Sequence, residues 1–417
     1  MQETFEVAVI GGGPAGMMAA ATAASLLPKG SRVLLLEKNA SLGKKLLITG
    51  GGRCNVTNAE FDTRVLLKKF KEGEQFLFSA FSQCGVIETL AFFNSRGMET
   101  KVEANKRVFP ASNSAQSVWN VLVDELKKHH VEVRTKAEVT KIESGGNRVS
   151  AIVLKNGSKV FAKNIVVATG GYSHPETGST GAGFTWLTEL GHTVEAPSMA
   201  LVPITTSDEW SHKIAGVSLQ QAKLTLFQNN AKQTQAEGKM LFTHVGLSGP
   251  LVLNLSSEIG ELLKYGEVVL ELDLLPHLSY DTLNFKLQEI FKTHHTKKLK
   301  NALPDLIPGG LIDAVGTLSG INLDTPCNSV SREARLKLVK LLKHIPLNPT
   351  GLLGEDKAII TSGGVVLEEV DFKTMRSRKF ENLYLVGDIL NIDRPSGGYS
   401  LQLCWTTGFV AGKNVAI

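Results

Sequence analysis

The sequence predicts an α/β fold in which one parallel, doubly wound sheet is begun at the start of the chain and finished near its end. Two segments predict it. Val7-Ala8-Val9-Ile10 runs into Gly11-Gly12-Gly13-Pro14-Ala15-Gly16 and then into an alanine-rich stretch. Far downstream, Leu383-Tyr384-Leu385-Val386 runs into Gly387-Asp388, followed by Ser396-Gly397-Gly398-Tyr399. A ligand that engages both is long, and the intervening chain must leave the nucleotide fold and return. FAD is the cofactor this split points to first.

Each element of the first segment has a physical reason. The Val- and Ile-rich run reads as a buried parallel strand. Gly11 permits the tight turn, Gly13 lets the backbone approach a pyrophosphate, and Gly16 lets the next helix pack on the strand. A helix from about Pro14 to Leu26 directs its amides at the phosphates, and Ala15, Ala19, Ala20, Ala21, Ala23 and Ala24 favour helix and close packing. A second strand, residues 32 to 36, ends in Glu37, placed to bond a ribose hydroxyl, with Lys38 next. Residues 42 to 58 form a glycine-rich basic segment, too polar for a core element.

Residues 62 to 96 are helical in pattern, with Val65, Leu66, Phe70, Phe76, Phe78 and Phe81 on the buried side. Residues 114 to 130 form another helix, and strands follow at 131–133, 137–142, 149–154 and 161–168, the last ending in Thr169-Gly170-Gly171. From 200 to 245 the chain reads as short strands and hairpins, with turns at Asn229-Asn230 and Glu237-Gly238. Residues 250 to 345 mix helices with a strand at 268–274, and residues 358 to 365 resume strand character. The domains are thus read as 1–195 with 351–417 for the nucleotide fold. The insert spans 196–350, β-rich and barrel-like over 196–249 and mainly helical over 250–350.

Composition sets limits on function. The 417 residues carry a net charge of +5 with both signs mixed. The densest basic run, His294 to Lys300, reads as a solvated helix face rather than a nucleic-acid patch, so a nucleic-acid partner is not expected. Cys54, Cys84, Cys327 and Cys404 form no CxxC pair, and no metal-ligand cluster appears. With no signal peptide and no run of membrane-spanning length, a cytoplasmic protein is expected. Oligomeric state is left open.

The stretches Gly43 to Asn58, Gly238 to Pro250, Thr361 to Met375 and Gly387 to Gly412 resemble one family along nearly the whole chain. It is the group of bacterial FAD-dependent flavoproteins that are dehydro-bile-acid-reductase-like or aminoacetone-oxidase-like, related to fumarate reductase flavoprotein subunits. The resemblance implies a glutathione-reductase-like, Rossmann-type FAD domain. It implies that Thr49, Gly50, Gly51, Cys54 and Asn55 lie along the isoalloxazine. Lys44, Lys45 and Arg53 would neutralise phosphate or reduced flavin, or else remain solvated loop cations. Val139 would hold the adenine edge, Thr169, Gly170 and Gly171 the nucleotide half, and Asp388 the ribitol or a water at the pyrophosphate. Gly387 belongs to the same turn, while Gly398, Tyr399 and Ser400 open a helix toward flavin N1 and O2.

This chain departs from the family at Asp388, where Gly-Glu is common. It departs again at Asn391-Ile392-Asp393-Arg394-Pro395, where the family carries Asp-Val-Asp-Gly. Arg394 is therefore expected near the flavin edge, where it would alter substrate preference. Gly178 to Phe184 has GxxGxG spacing and no strand running into it, so no second Rossmann fold is expected, and NAD(P)H would dock only transiently. No catalytic acid or base is fixed. His244 and His174 fit either hydrogen-bonded structural histidines, the commoner case, or proton donors, and Tyr399 and Arg394 are candidate substrate contacts. The expected activity is FAD-dependent oxidoreduction of a small organic substrate by hydride transfer at N5, possible NAD(P)H co-substrate included. An amine or aminoketone oxidase and a flavin-binding regulatory protein stand as alternatives.

Overall fold

Strand pairing joins the two ends of the chain. The structure, a computed structural model, describes residues 4–353 and 360–416 and divides into two compact units, residues 1–199 with 359–417 and residues 200–358. In the first unit, the strand Lys159–Val167 is central to a seven-stranded sheet. Its start pairs antiparallel with Arg148–Leu154, which pairs in turn with Val139–Gly145. Its remainder runs parallel to Thr4–Ile10 on one side and to Leu383–Leu385 on the other. Val33–Leu36 and Glu132–Arg134 extend the parallel part beyond Thr4–Ile10. Ile10 and Leu385 both lie opposite Val167, so the two glycine motifs leave one carboxyl edge on either side of one strand.

The helices after these strands, Pro14–Leu26 and Tyr399–Asn414, pack backbone to backbone. A Cβ at Gly408 would fall 2.5 Å from the Ala15 carbonyl oxygen, and one at Gly412 would fall 2.5 Å from that of Ala19. Two glycines four residues apart therefore face two alanines four residues apart, a seam that larger side chains would force open. The helix Ala115–Lys128 begins at Ser114, whose hydroxyl accepts from the Gln116 amide.

Several expectations need correction. The 62–96 region is three helices, Thr63–Leu67, Gly73–Gln83 and Val86–Asn94, interrupted at Lys71, whose φ is +47°. The phase restarts after the break, so Val65 (43 % exposed) and Phe78 (51 %) face solvent while Leu66, Phe70 and Phe81 are buried. The 42–58 segment is also less superficial than its polarity suggests, since Leu42, Leu46, Cys54, Val56 and Thr57 are buried. Residues 294–298 lie in a turn rather than on a helix, and Lys298 and Lys300 both pair with Asp324.

The second unit is built on another seven-stranded sheet. Its order is Ile345–Leu347, Val268–Asp273, Ser218–Gln228, Ala231–Thr243, Gly246–Ser248, Ile204–Thr206, Pro349–Leu352. The two edge strands are separated in sequence only by Asn348, so the sheet must curl until its edges meet, a barrel-like closure. The strands over 218–243 are long, not short. Asn229 and Asn230, both at positive φ, form the expected hairpin turn, but Gly238 lies inside a strand opposite Ala222, beside a shift in register. Leu224, Leu226, Phe242, Leu255, Leu270, Leu272 and Leu287 fill the core. Lys343 is buried against Asp273 at 2.6 Å and donates to the Leu275 and Leu278 carbonyls, which satisfies the ammonium. The sequence reading of residues 358–359 lies outside the described residues.

Candidate functional site

The carboxyl edge of the first sheet opens onto a cavity, and the glycines shape it. Gly11 has φ +109°, donates its amide to the Leu36 carbonyl at 2.8 Å, and lies where a Cβ would meet the Ala168 carbonyl at 2.4 Å. A Cβ at Gly16 would sit 1.9 Å from the Gly11 oxygen, so this position is closed to every other residue. At Gly13 nothing lies within 4 Å, which leaves an open cradle beside the start of the Pro14–Leu26 helix. That helix has no side-chain cap and no acidic residue in its first turn, so its unpaired amides and positive dipole end are offered to an anion.

The strand ends supply the polar groups. Glu37 accepts from the Gly12 amide at 2.9 Å through one oxygen, and from the Asn39 amide and side chain at 2.8 Å through the other. Three of about four carboxylate lone pairs are thus used to fix the turn, leaving capacity for one more donor on its cavity side. Lys45 enters the cavity from the helix Lys44–Ile48, 2.5 Å from the Ser173 hydroxyl and 3.8 Å from Asp388. Burial holds its pKa below the ordinary lysine value, against the pull of Asp388. Asp388 also pairs with Arg394, whose guanidinium donates to Ser400 at 3.1 Å and to the Ile392 carbonyl at 2.6 Å.

Of the residues singled out by sequence, Gly11, Gly13, Pro14, Ala15, Glu37, Lys38, Lys44, Lys45, Thr49, Val139, Thr169, Gly170, Gly387, Asp388 and Ser400 line this cavity. Gly16, Gly50, Gly51, Cys54, Asn55, Gly171 and Gly398 stand off it. Arg53 spends its charge on Glu103 at 2.5 Å and stacks over Phe109, so it does not serve the cavity. Arg394 is turned inward with a side chain 1 % exposed, and Tyr399 packs edge-on against Phe70; neither is placed as a substrate contact. His174 pairs with Glu176 at 2.8 Å, and His244 is exposed in the second unit. Burial pushes the Cys54 thiol up to about 12, against a hydrogen bond with Thr49, which makes it a packing group.

Sequence reasoning missed Asn39, Trp186 and Cys404 as lining residues. The glycine loop at 178–181 gave a signal for Ser179 and Thr180, and Lys38 donates to the Thr180 hydroxyl at 3.0 Å. Cys404 carried no signal.

The cavity fits a dinucleotide. Thr169 lines it, although its hydroxyl is turned toward Gly183, where a Cβ would fall 2.1 Å away, and is buried without a hydrogen-bond partner. With the open cradle at Gly13 and the cation at Lys45, the donor and acceptor set matches an FAD pyrophosphate and its flanking sugars.

Comparison with known proteins agrees. The family model described as the HI0933-like protein Rossmann domain matches residues 5–414. The 3-dehydro-bile acid delta(4,6)-reductase of Clostridium scindens is 31 % identical over 98 % of both chains. The ribosomal RNA dihydrouridine synthase of Escherichia coli is 30 % identical over 99 % of this chain and 98 % of that one. Among solved structures, the 3-ketosteroid-delta4-(5alpha)-dehydrogenase of Rhodococcus jostii RHA1 shares the fold, with a TM-score of 0.55, 15 % identity, and coverage of 99 % of this chain and 97 % of that one. A flavocytochrome c3 fumarate reductase is similar over 99 % of this chain and 78 % of its own, with a TM-score of 0.51 and 16 % identity. No single helix among the described residues is long and apolar enough to cross a membrane. The chain belongs to the HI0933-like Rossmann family and is an FAD-dependent oxidoreductase.

Proposed function

We propose that the enzyme reduces a carbon–carbon double bond conjugated to a carbonyl. The observation that carries this is a convergence. Two full-length relatives with different substrates in their names, a dehydro-bile acid and ribosomal uridine, both act on a C=C bond polarised by a neighbouring carbonyl. FAD, when bound and reduced, would supply the hydride for the carbon β to that carbonyl, with NAD(P)H as the reductant. The protein's own part is to hold the dinucleotide. Gly13 and the uncapped helix receive the pyrophosphate, Lys45 offsets its charge, and Glu37 bonds a sugar hydroxyl. The proton for the α carbon comes from water.

A small enone is the first substrate class to test, in keeping with the mixed surface charge. The uridine ring of ribosomal RNA is the second reading, favoured specifically by the Escherichia coli relative and by that of Haemophilus influenzae, 28 % identical over the full length of both chains. The test is anaerobic stopped-flow. The yellow holoenzyme should be bleached by NADPH or NADH and should regain its colour on adding a 3-oxo-Δ4 steroid or unmodified ribosomal RNA, with saturated steroid or dihydrouridine as product. Flavin that NAD(P)H does not bleach, but an amine does with peroxide formed on re-aeration, would replace the reductase by an amine oxidase.

A further inference from the structure

We infer that Arg394 is a positioning residue for FAD, acting through Asp388 and Ser400 and not through any contact with substrate. Asp388 and Ser400 both line the cavity, whereas Arg394 does not and is almost wholly buried behind them. One terminal nitrogen of its guanidinium donates to Asp388 Oδ1, Nε donates to Ser400 Oγ at 3.1 Å, and the other terminal nitrogen donates to the Ile392 carbonyl at 2.6 Å. The planar fork thus ties the glycine turn at 387–388 to the first turn of the Tyr399–Asn414 helix. Those are the two arms of the distal half of the split motif.

The arrangement fixes what Asp388 can recognise. Oδ1 is taken by Arg394, and Oδ2 faces Lys45 at 3.8 Å. The guanidinium and Lys45 offer only donors, so the carboxylate of Asp388 acts here as a hydrogen-bond acceptor. Its cavity-facing partner is therefore a hydroxyl donor, as a polyol chain provides, and not a phosphate. Its negative charge is answered from behind by Arg394, which leaves the Lys45 ammonium for the anionic part of the ligand. Removing the guanidinium frees Asp388 to swing onto Lys45 and frees Ser400 to rotate. Both changes disfavour the polyol segment and leave the adenosine end untouched.

The inference depends on FAD binding and not on the identity of the oxidised or reduced substrate, so it survives a failure of the enone assignment. The experiment measures dissociation constants of the apoprotein for FAD, by quenching of flavin fluorescence, and for ADP, which lacks the ribityl chain. Arg394→Met and Asp388→Asn should each weaken FAD binding about 10- to 100-fold while leaving ADP binding within about twofold. The double variant should be no weaker than the worse single one, because the two residues act as one unit. Arg394→Lys, which keeps the charge but not the fork, should fall between wild type and Arg394→Met. If Arg394→Met does not fold, Arg394→Lys carries the measurement, with FAD weakened and ADP unchanged. Unchanged FAD affinity, equal losses for FAD and ADP, or additive losses in the double variant would each overturn the assignment.

Discussion

The two units of this chain are held together by different chemistry. In the cofactor unit, backbone meets backbone: Gly16 against Gly11, Gly408 against Ala15, Gly412 against Ala19, all at distances that no Cβ tolerates. The inserted unit is an ordinary aliphatic core, in which Leu224, Leu226, Leu270 and Leu272 fill the interior of a curled sheet. Close backbone approach is needed where a dinucleotide must lie against a sheet edge, and it leaves a mark in glycine spacing. Side-chain packing only asks for volume, and many sequences supply it. The cofactor is therefore readable from sequence and the substrate is not.

The contrast can be broken experimentally, most severely at the first turn. Gly16→Val should abolish soluble folded protein, since its Cβ falls 1.9 Å from a backbone oxygen, whereas Gly13→Val meets open space. Gly13→Val should melt like the wild-type apoprotein yet bind FAD at least about 100-fold more weakly, about 2.7 kcal/mol. A Gly13 variant with unaltered FAD affinity would remove the cradle from the site.

Leu270→Ala, in the inserted core, should cost about 2–5 kcal/mol by denaturant titration and leave the FAD dissociation constant unchanged. Gly408→Ala should cost about 1–3 kcal/mol and weaken FAD binding as well, because the helix it displaces carries Ser400 into the cavity. If both variants affected FAD equally, the division of labour between the units would be wrong. Thr169→Val removes an orphaned buried hydroxyl, so the apoprotein should gain up to about 1–3 kcal/mol by denaturant titration.

The smallest effect concerns acid. His192 is buried, 2.8 Å from Glu369 through Nδ1 and 3.0 Å from the Ser377 hydroxyl through Nε2. Burial holds its pKa below the usual 6.5, against the pull of Glu369. The unfolded chain therefore takes a proton that the folded one refuses, and stability present above pH 6.5 is lost as the pH falls below it toward the folded value. Glu369 adds a second window. Burial raises its pKa, but hydrogen bonds from Lys379, Thr193 and His192 prevail and set it at about 2, so its contribution is present above 4.5 and lost between 4.5 and about 2. Urea midpoints measured across pH should show both slopes, and His192→Gln should flatten the upper one more than the lower, which Lys379 and Thr193 also sustain.

What was legible follows from the same division. The strands flanking Val167 and the helix starting at Pro14 were readable because apolar runs ending in glycines have few other uses. Phe78 and Val65 were misassigned because one helical period was carried across the break at Lys71. Gly238 was read as a turn because sequence does not show that a glycine in a strand accompanies a register shift. Arg394 was read near the flavin edge as a candidate substrate contact, and sequence does not show that its guanidinium is taken up by Asp388 and Ser400.

The strand Lys159–Val167 has a consequence for the order in which this protein is made. Its neighbour on one side emerges from the ribosome before it, and its neighbour on the other side more than two hundred residues later. The inserted barrel has all its strands by residue 352 and can fold while the first sheet still has an unpaired edge. FAD cannot be captured in full until that edge is covered, so the nascent chain carries an incomplete nucleotide site for most of its synthesis. Loading of the cofactor is then a late event, and a chain stalled before the Leu383–Leu385 strand would expose an apolar strand edge to chaperones and proteases instead of binding flavin.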